Sequence, residues 1–262
     1  MTSLLVIAVL AVSIIFSMLG LGGGVLYVPI LMSAGITFHQ AVATSLLIML
    51  VMSLTASVVY HMEKLVDWKL LLLLEPFSVT GAIIGSYNSN IFPEKALLLV
   101  FAAAMTGSAA LTFFSPARKK TDDAPSYFPG ILRRESGGHS YSINLWVGIP
   151  VAFAAGFISS LIGIGGGFAK MPLMTLAFGM PVNAAIATSS VGIVITCLAG
   201  FAGHGAAGNV DLRLAALLGA VVLAGGIIGS KISIKSDKRF LSLMFACLQV
   251  IISVWMVYKA VH

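Results

Sequence analysis

The residues of this chain with chemistry to offer are few, and most sit in apolar surroundings. Lys170, in "GIGGGFAKMPLM", is the only basic residue far from any polar stretch. An ammonium in such a run either faces a cavity or a partner, where it would attract an anion, or snorkels to the membrane surface along its stem. Glu75, in "LLLLEPFSV", is an acidic counterpart. It suits a coupling proton or a cap for the backbone groups freed by Pro76. His61 and His204 stand 143 residues apart near helix ends, where an imidazole titrating near neutrality would serve proton coupling or a structural contact. Thr44, Ser45, Thr188 and Ser189 carry hydroxyls that either donate to the oxygens of a solute or bond back to the preceding turn. The chain contains no HExxH run, no nucleophile and base pair and no clustered metal ligands. The chemistry on offer is therefore binding and proton movement, with no enzymatic activity, cofactor or metal expected.

The strongest signal is glycine. "LGLGGGVLYVPIL" from Leu19 and "IGIGGGFAKMPLM" from Ile162 each place four glycines within five residues of apolar sequence: Gly20, Gly22, Gly23 and Gly24, then Gly163, Gly165, Gly166 and Gly167. Close helix packing needs fewer, and that role suits Gly81, Gly85, Gly225 and Gly229 better. A glycine run of this density predicts a break in a helix. Broken backbone at membrane depth persists only where it lines a cavity or is buried in protein. The arm that follows each break starts with free N–H groups and the positive end of its dipole, which together attract anions. A dinucleotide-binding reading fails, because no strand precedes the glycines and no acidic residue follows at the required distance.

The elements that must position these residues are membrane helices. Of 262 residues, 59% are hydrophobic and 9% charged, far from the roughly 25% charge of soluble domains. Apolar runs near 20 residues long recur, as an all-α integral membrane protein requires. Most of the excess behind the net charge of +6 sits in loops between apolar helices, so it points to membrane topology and not to nucleic acid. The first apolar run lacks a basic lead-in and has a mid-chain twin, which sets it apart from a signal peptide. Cys197 and Cys247 lack metal or redox spacing and read as packing residues.

The chain is an internal repeat. Gly20 and Gly163, and Pro29 and Pro172, are 143 residues apart; "AVATS" from Ala41 and "AIATS" from Ala185, and "GAIIGS" from Gly81 and "GGIIGS" from Gly225, are 144 apart. The predicted organisation is a first transmembrane repeat over 1–114, a cytoplasmic linker over 115–142 and a second repeat over 143–262. Each repeat is a Gly-broken segment (3–34 and 144–177) followed by three helices (40–60, 69–87, 95–114; 184–203, 213–231, 239–260). If each broken segment is re-entrant, the repeats are inverted and eleven basic residues share one face against three opposite. A segment that crosses once gives parallel repeats and a nine-to-five division. The stronger bias favours inversion, with the linker cytoplasmic.

With the paired GxGGG runs, the prolines after them and the paired "ATS" helices, the chain resembles the TauE/SafE family of sulfite and organosulfur anion exporters over nearly its whole length. The resemblance implies transport of a small sulfur-containing anion across the bacterial inner membrane by a multi-pass protein. The expected function is a secondary transporter with a midplane site between two half-helix N-termini, completed by the hydroxyls and Lys170. The rival readings are an anion channel and a non-transporting scaffold or sensor subunit. The expected partners are the anion and the lipid bilayer, with self-association into a homo-oligomer compatible and nucleic acid excluded.

Overall fold

The computed structural model describes residues 2–93, 130–136, 139–206 and 212–237, with scattered positions between 95 and 110 and between 240 and 258. The first half runs α1 (Thr2–Leu19), α2 (Gly24–Ser33), α3 (Phe38–Met62) and α4 (Trp68–Asn88). After a hairpin of β1 (Ile131–Ser136) and β2 (His139–Asn144), the second half runs α5 (Leu145–Ile162), α6 (Gly167–Pro172) with a wider π turn over Leu173–Ala177, α7 (Val182–Ala206) and α8 (Leu212–Lys235). Most of the helices expected at 95–114 and 239–260 lies outside the described residues. Five helices, α3, α4, α5 and most of α7 and α8, are long and apolar enough to cross a membrane. Leu72, Trp146 and Ile7 are more than 60% exposed, a surface suited to lipid. This is a helical membrane protein.

The π turn coincides with a change in the offset between matching positions of the two halves. The offset between halves is 143 at the start of the short arms, Gly24 and Gly167, and 144 at the start of the next helices, Phe38 and Val182. The second copy thus has one residue more between these points. A π turn holds one residue more than an α turn, and the only π turn among the described residues falls inside that interval.

The main contacts between long helices are the same when the halves are exchanged. α1 lies on α8 as α5 lies on α4; α3 contacts α8 as α7 contacts α4; α3 and α7 contact each other. α3 and α7 are the most enclosed spans. The outer contacts rest on small residues, as expected for Gly81, Gly85, Gly225 and Gly229. A methyl on Gly81 would strike the Phe153 carbonyl, and one on Gly229 the Ile14 carbonyl.

The hairpin falls mostly within the segment expected as a linker over 115–142, and it is one exception to helical structure among the described residues. Arg134 pairs with Tyr141 and Leu132 with Ile143 in antiparallel register. Tyr141 and Ile143 alternate inward and pack with Leu70, Leu74 and Phe178, the two-residue period of a half-buried strand. The Pro, Gly, Ser and charge content of the surrounding segment conceals this short alternation.

Candidate functional site

Both glycine runs break their helices, and the two breaks meet. α1 and α5 each end on a left-handed glycine, Gly20 (φ 64°) and Gly163 (φ 76°). The amides of Leu21 and Ile164 turn back to the carbonyls of Phe16 and Ser159, a closure that needs positive φ and hence favours glycine. α2 and α6 then start on left-handed Gly23 (φ 80°) and Gly166 (φ 70°), neither of which supplies a side-chain cap. Gly22 and Gly165 also have positive φ, whereas Gly24 and Gly167 are the first residues of the arms. A Cβ on Gly24 would strike the Gly163 carbonyl, and one on Gly167 would come within 2.6 Å of the Gly20 carbonyl. Met49 and Ile193, at matching places on α3 and α7, close over the same point.

Two of the four hydroxyls expected to hold substrate, those of Ser45 and Ser189, serve these breaks. Ser45 donates to the Gly163 carbonyl and Ser189 to the Gly20 carbonyl, both at 2.9 Å. Each half therefore satisfies a carbonyl exposed by the other half's break, a group that would be costly to bury unpaired. Thr188 accepts from the Asp67 amide at 3.0 Å. Thr44 Oγ1 is buried with no hydrogen-bond partner.

Beside the second break stands a cluster that the separate readings of Lys170 and Glu75 did not join. Lys170 Nζ lies 2.8 and 3.0 Å from the two carboxylate oxygens of Glu75, 2.8 Å from Thr196 Oγ1 and 3.5 Å from the Gly192 carbonyl. The two charged side chains are only 1% and 6% exposed. Ser78 Oγ is 3.3 Å from Thr196 Oγ1. Gly192 leaves room for the pair, since a Cβ there would collide with Glu75 Oε1. Glu75 is thus the partner of Lys170 and does not cap the groups freed by Pro76, and Lys170 neither snorkels nor presents a free cation. At the matching place in the first half, Tyr27 donates to Met52 Sδ at 3.3 Å, and the residue matching Glu75 is Gly219. One copy is neutral and the other ionic.

The histidines separate. His61 is exposed, its ring edge-on to Trp68. His204 is buried and donates from Nε2 to the Ser160 carbonyl at 2.8 Å. Its structural match is Tyr60, whose hydroxyl donates to the Ser17 carbonyl at 2.8 Å. The pairing of His61 with His204 used an offset of 143, but the register in these helices is 144.

A second polar cluster, absent from the sequence reading, ties the hairpin to the bundle. Asp67 caps α4 by accepting from the amides of Lys69 and Leu70. It also pairs with Arg134 at 3.3 Å and accepts from the Tyr141 hydroxyl. Burial, then the neighbouring Asp67 carboxylate, pushes the Tyr141 hydroxyl above the ordinary tyrosine range. A groove of about 790 Å³ lies away from the breaks, between α3 and α8.

Interrupted helices whose freed backbone groups are satisfied inside an apolar bundle, next to a buried ion pair, are the build of a membrane transporter. The chain belongs to the sulfite exporter TauE/SafE family, whose match covers residues 5–256. It is similar to the probable membrane transporter protein YunE of Bacillus subtilis, with 29% identity over 98% of this chain and 98% of that protein. A probable membrane transporter protein of Methanocaldococcus jannaschii is 25% identical over 97% of this chain and 94% of its own length. The sulfite exporter TauE/SafE family protein 3 of Arabidopsis thaliana is 27% identical over 51% of this chain and 30% of that protein. No solved structure matches the chain.

Proposed function

We propose that the protein is a secondary transporter of a small anion, a sulfur-containing oxyanion or organosulfonate, that works by alternating access in the bacterial inner membrane. The observation that carries this reading is the meeting of two backbone breaks at the centre of the bundle, cross-capped by Ser45 and Ser189, with the ammonium of Lys170 beside one of them. The sulfur chemistry rests on the family and on the name of the Arabidopsis relative. Movement of one half against the other would make and break the central contacts and expose the Lys170 region to each side in turn.

Three observations support inverted repeats with re-entrant arms. The Ser142 amide bonds the Phe178 carbonyl at 3.1 Å, so the second broken segment leaves where it entered. The ends of α3 and α8 share the groove that carries Glu63, Lys231 and Lys235, and the hairpin brings Arg134 to the start of α4. Together with Lys64 and Lys69 in the α3 to α4 connection, these cations fit one cytoplasmic face.

The test is a thermal-shift screen of purified protein against sulfite, thiosulfate, sulfonates, sulfate and carboxylates, followed by uptake into proteoliposomes with the stabilising anion. A true ligand raises stability by mass action. Gly166→Val, which puts a β-branched residue at φ 70°, should remove transport while leaving the protein in the membrane. Full transport by this variant overturns the reading. Conductance without saturation assigns a channel instead, and no stabilisation by any anion assigns a non-transporting role.

A further inference from the structure

We infer that Glu75 is a resident counter-anion. Its carboxylate occupies the groups that a transported oxyanion takes, and the anion enters as Glu75 gives up Lys170 and binds one proton. This rests on the anion-transporter reading and adds its coupling: one proton travels with each anion.

Three independent observations lead here. First, the duplicated halves differ where the chemistry is. Tyr27, Met52 and Gly219 stand where the other half has Lys170, Thr196 and Glu75, and the contact between Tyr27 and Met52 has its counterpart in that between Lys170 and Thr196. A pair needed only to hold helices together would be needed in both copies, yet the first copy is held without charge. Second, both oxygens of Glu75 lie on one ammonium, at 2.8 and 3.0 Å, and Oε2 is 3.3 Å from the Thr196 hydroxyl. A small oxyanion presents the same pair of oxygens. Third, Ser159 Oγ is fully buried with no hydrogen-bond partner, and the Ser159 Cβ and Lys170 Cε both lie 3.7 Å from where a Cβ on Gly166 would stand. A spare donor therefore borders the same small space as the ammonium, available to an oxygen that Glu75 leaves unserved.

The coupling follows from charge. Lys170 and Glu75 cancel, so an anion arriving beside an ionised Glu75 meets a like charge in a poorly screened interior. Protonation removes that repulsion and frees the ammonium in one step. The carboxylate becomes a neutral carboxylic acid, the proton comes from whichever side the site then faces, and the anion takes the place on Lys170 and Thr196. Release reverses each exchange. The other titratable groups on the elements around Glu75 are Lys69 and Tyr87 on α4 itself and Cys197 and His204 on α7; α5 carries none, and Arg134 and Tyr141 of the hairpin packed on α4 are engaged with Asp67. His204 is committed to the Ser160 carbonyl.

The experiment is calorimetric titration of the purified full-length protein with thiosulfate, an anion fully ionised through the range used, in buffers of differing protonation enthalpy. We expect uptake of about one proton per anion, with affinity falling about tenfold per pH unit wherever Glu75 is ionised in the free protein. Glu75→Gln should bind thiosulfate at least tenfold more tightly at alkaline pH, with no proton uptake and no pH slope. Binding by the wild type without proton uptake overturns the inference while leaving the transporter reading intact, as does wild-type proton uptake retained in the Gln variant. Should the variant not fold, the wild-type proton count still decides. A wild-type protein that binds neither thiosulfate, sulfite nor a sulfonate at any pH overturns both.

Discussion

Removing one member of the Lys170 and Glu75 pair should damage the fold more than removing both. At 2.8 Å, two unit charges attract by about 6 kcal/mol at an effective dielectric of about 20. Desolvating them costs several kcal/mol per ion, so the intact pair contributes little net stability. A stranded partner has no such offset, because both side chains are buried from solvent. Lys170→Met and Glu75→Leu, each close to isosteric, should therefore each cost about 3 to 5 kcal/mol. The double variant, with two apolar chains in the same volume, should return to within about 2 kcal/mol of wild type. The assay is chemical unfolding in detergent micelles across the four proteins of the cycle, with transport measured in parallel. The double variant is expected to be stable and inactive, which separates folding from function. Single variants within about 1 kcal/mol of wild type, or a double variant as unstable as the sum of the singles, would refute the reasoning.

Ser45→Ala and Ser189→Ala should each cost about 1 to 3 kcal/mol by stranding a buried carbonyl; circular-dichroism melts of the purified variants check this, with the exposed Ser33→Ala as a neutral comparison. Gly24→Ala should disable transport, since its methyl meets the Gly163 carbonyl and Met49 Sδ at the junction of the breaks. Gly35→Ala, at φ 90° with open space around it, should cost about 1 kcal/mol of backbone strain and keep transport, as proteoliposome uptake will report. The raised Tyr141 gives the hairpin an alkaline limit. Its folded form keeps the proton that the unfolded chain loses above about pH 10, so its stabilisation is complete below that pH and is lost as pH rises further. Limited proteolysis within 131–144 should accelerate there, and Tyr141→Phe should remove the pH dependence.

What the sequence disclosed was whatever repeats or recurs locally. The glycine runs marked both breaks, and the apolar runs placed α3, α4, α7 and α8 within a few residues, because each is dictated by neighbours along the chain. The packing glycines were legible for the same reason, as small residues four apart make one face of a helix. The ion pair was hidden by distance: Lys170 and Glu75 are 95 positions apart and meet because α4 packs on α5 and α7, the two helices that α6, which carries Lys170, also contacts. Ser45 and Ser189 were recognised as hydroxyls but not as caps, since each reaches the other half's break.

The offset between the two halves shifts from 143 to 144 between the short arms and the helices that follow them. The change from 143 to 144 is an insertion, and the π turn after Pro172 absorbs it. Applied beyond that turn, the corrected register aligns Tyr60 with His204 and Met52 with Thr196. Those alignments are what distinguish a contact kept in both halves from one altered in a single copy. The carbonyls of Ser17 and Ser160 are bonded alike by phenol and imidazole, so either side chain meets the need, which is structural. The place held by Tyr27 and Met52 is ionic in the other half, where two charges are desolvated, an arrangement that packing alone does not require. The buried charge pair stands at one of the two matching places and a neutral contact at the other, and this asymmetry is what the proposed single-anion site at the centre of the bundle rests on.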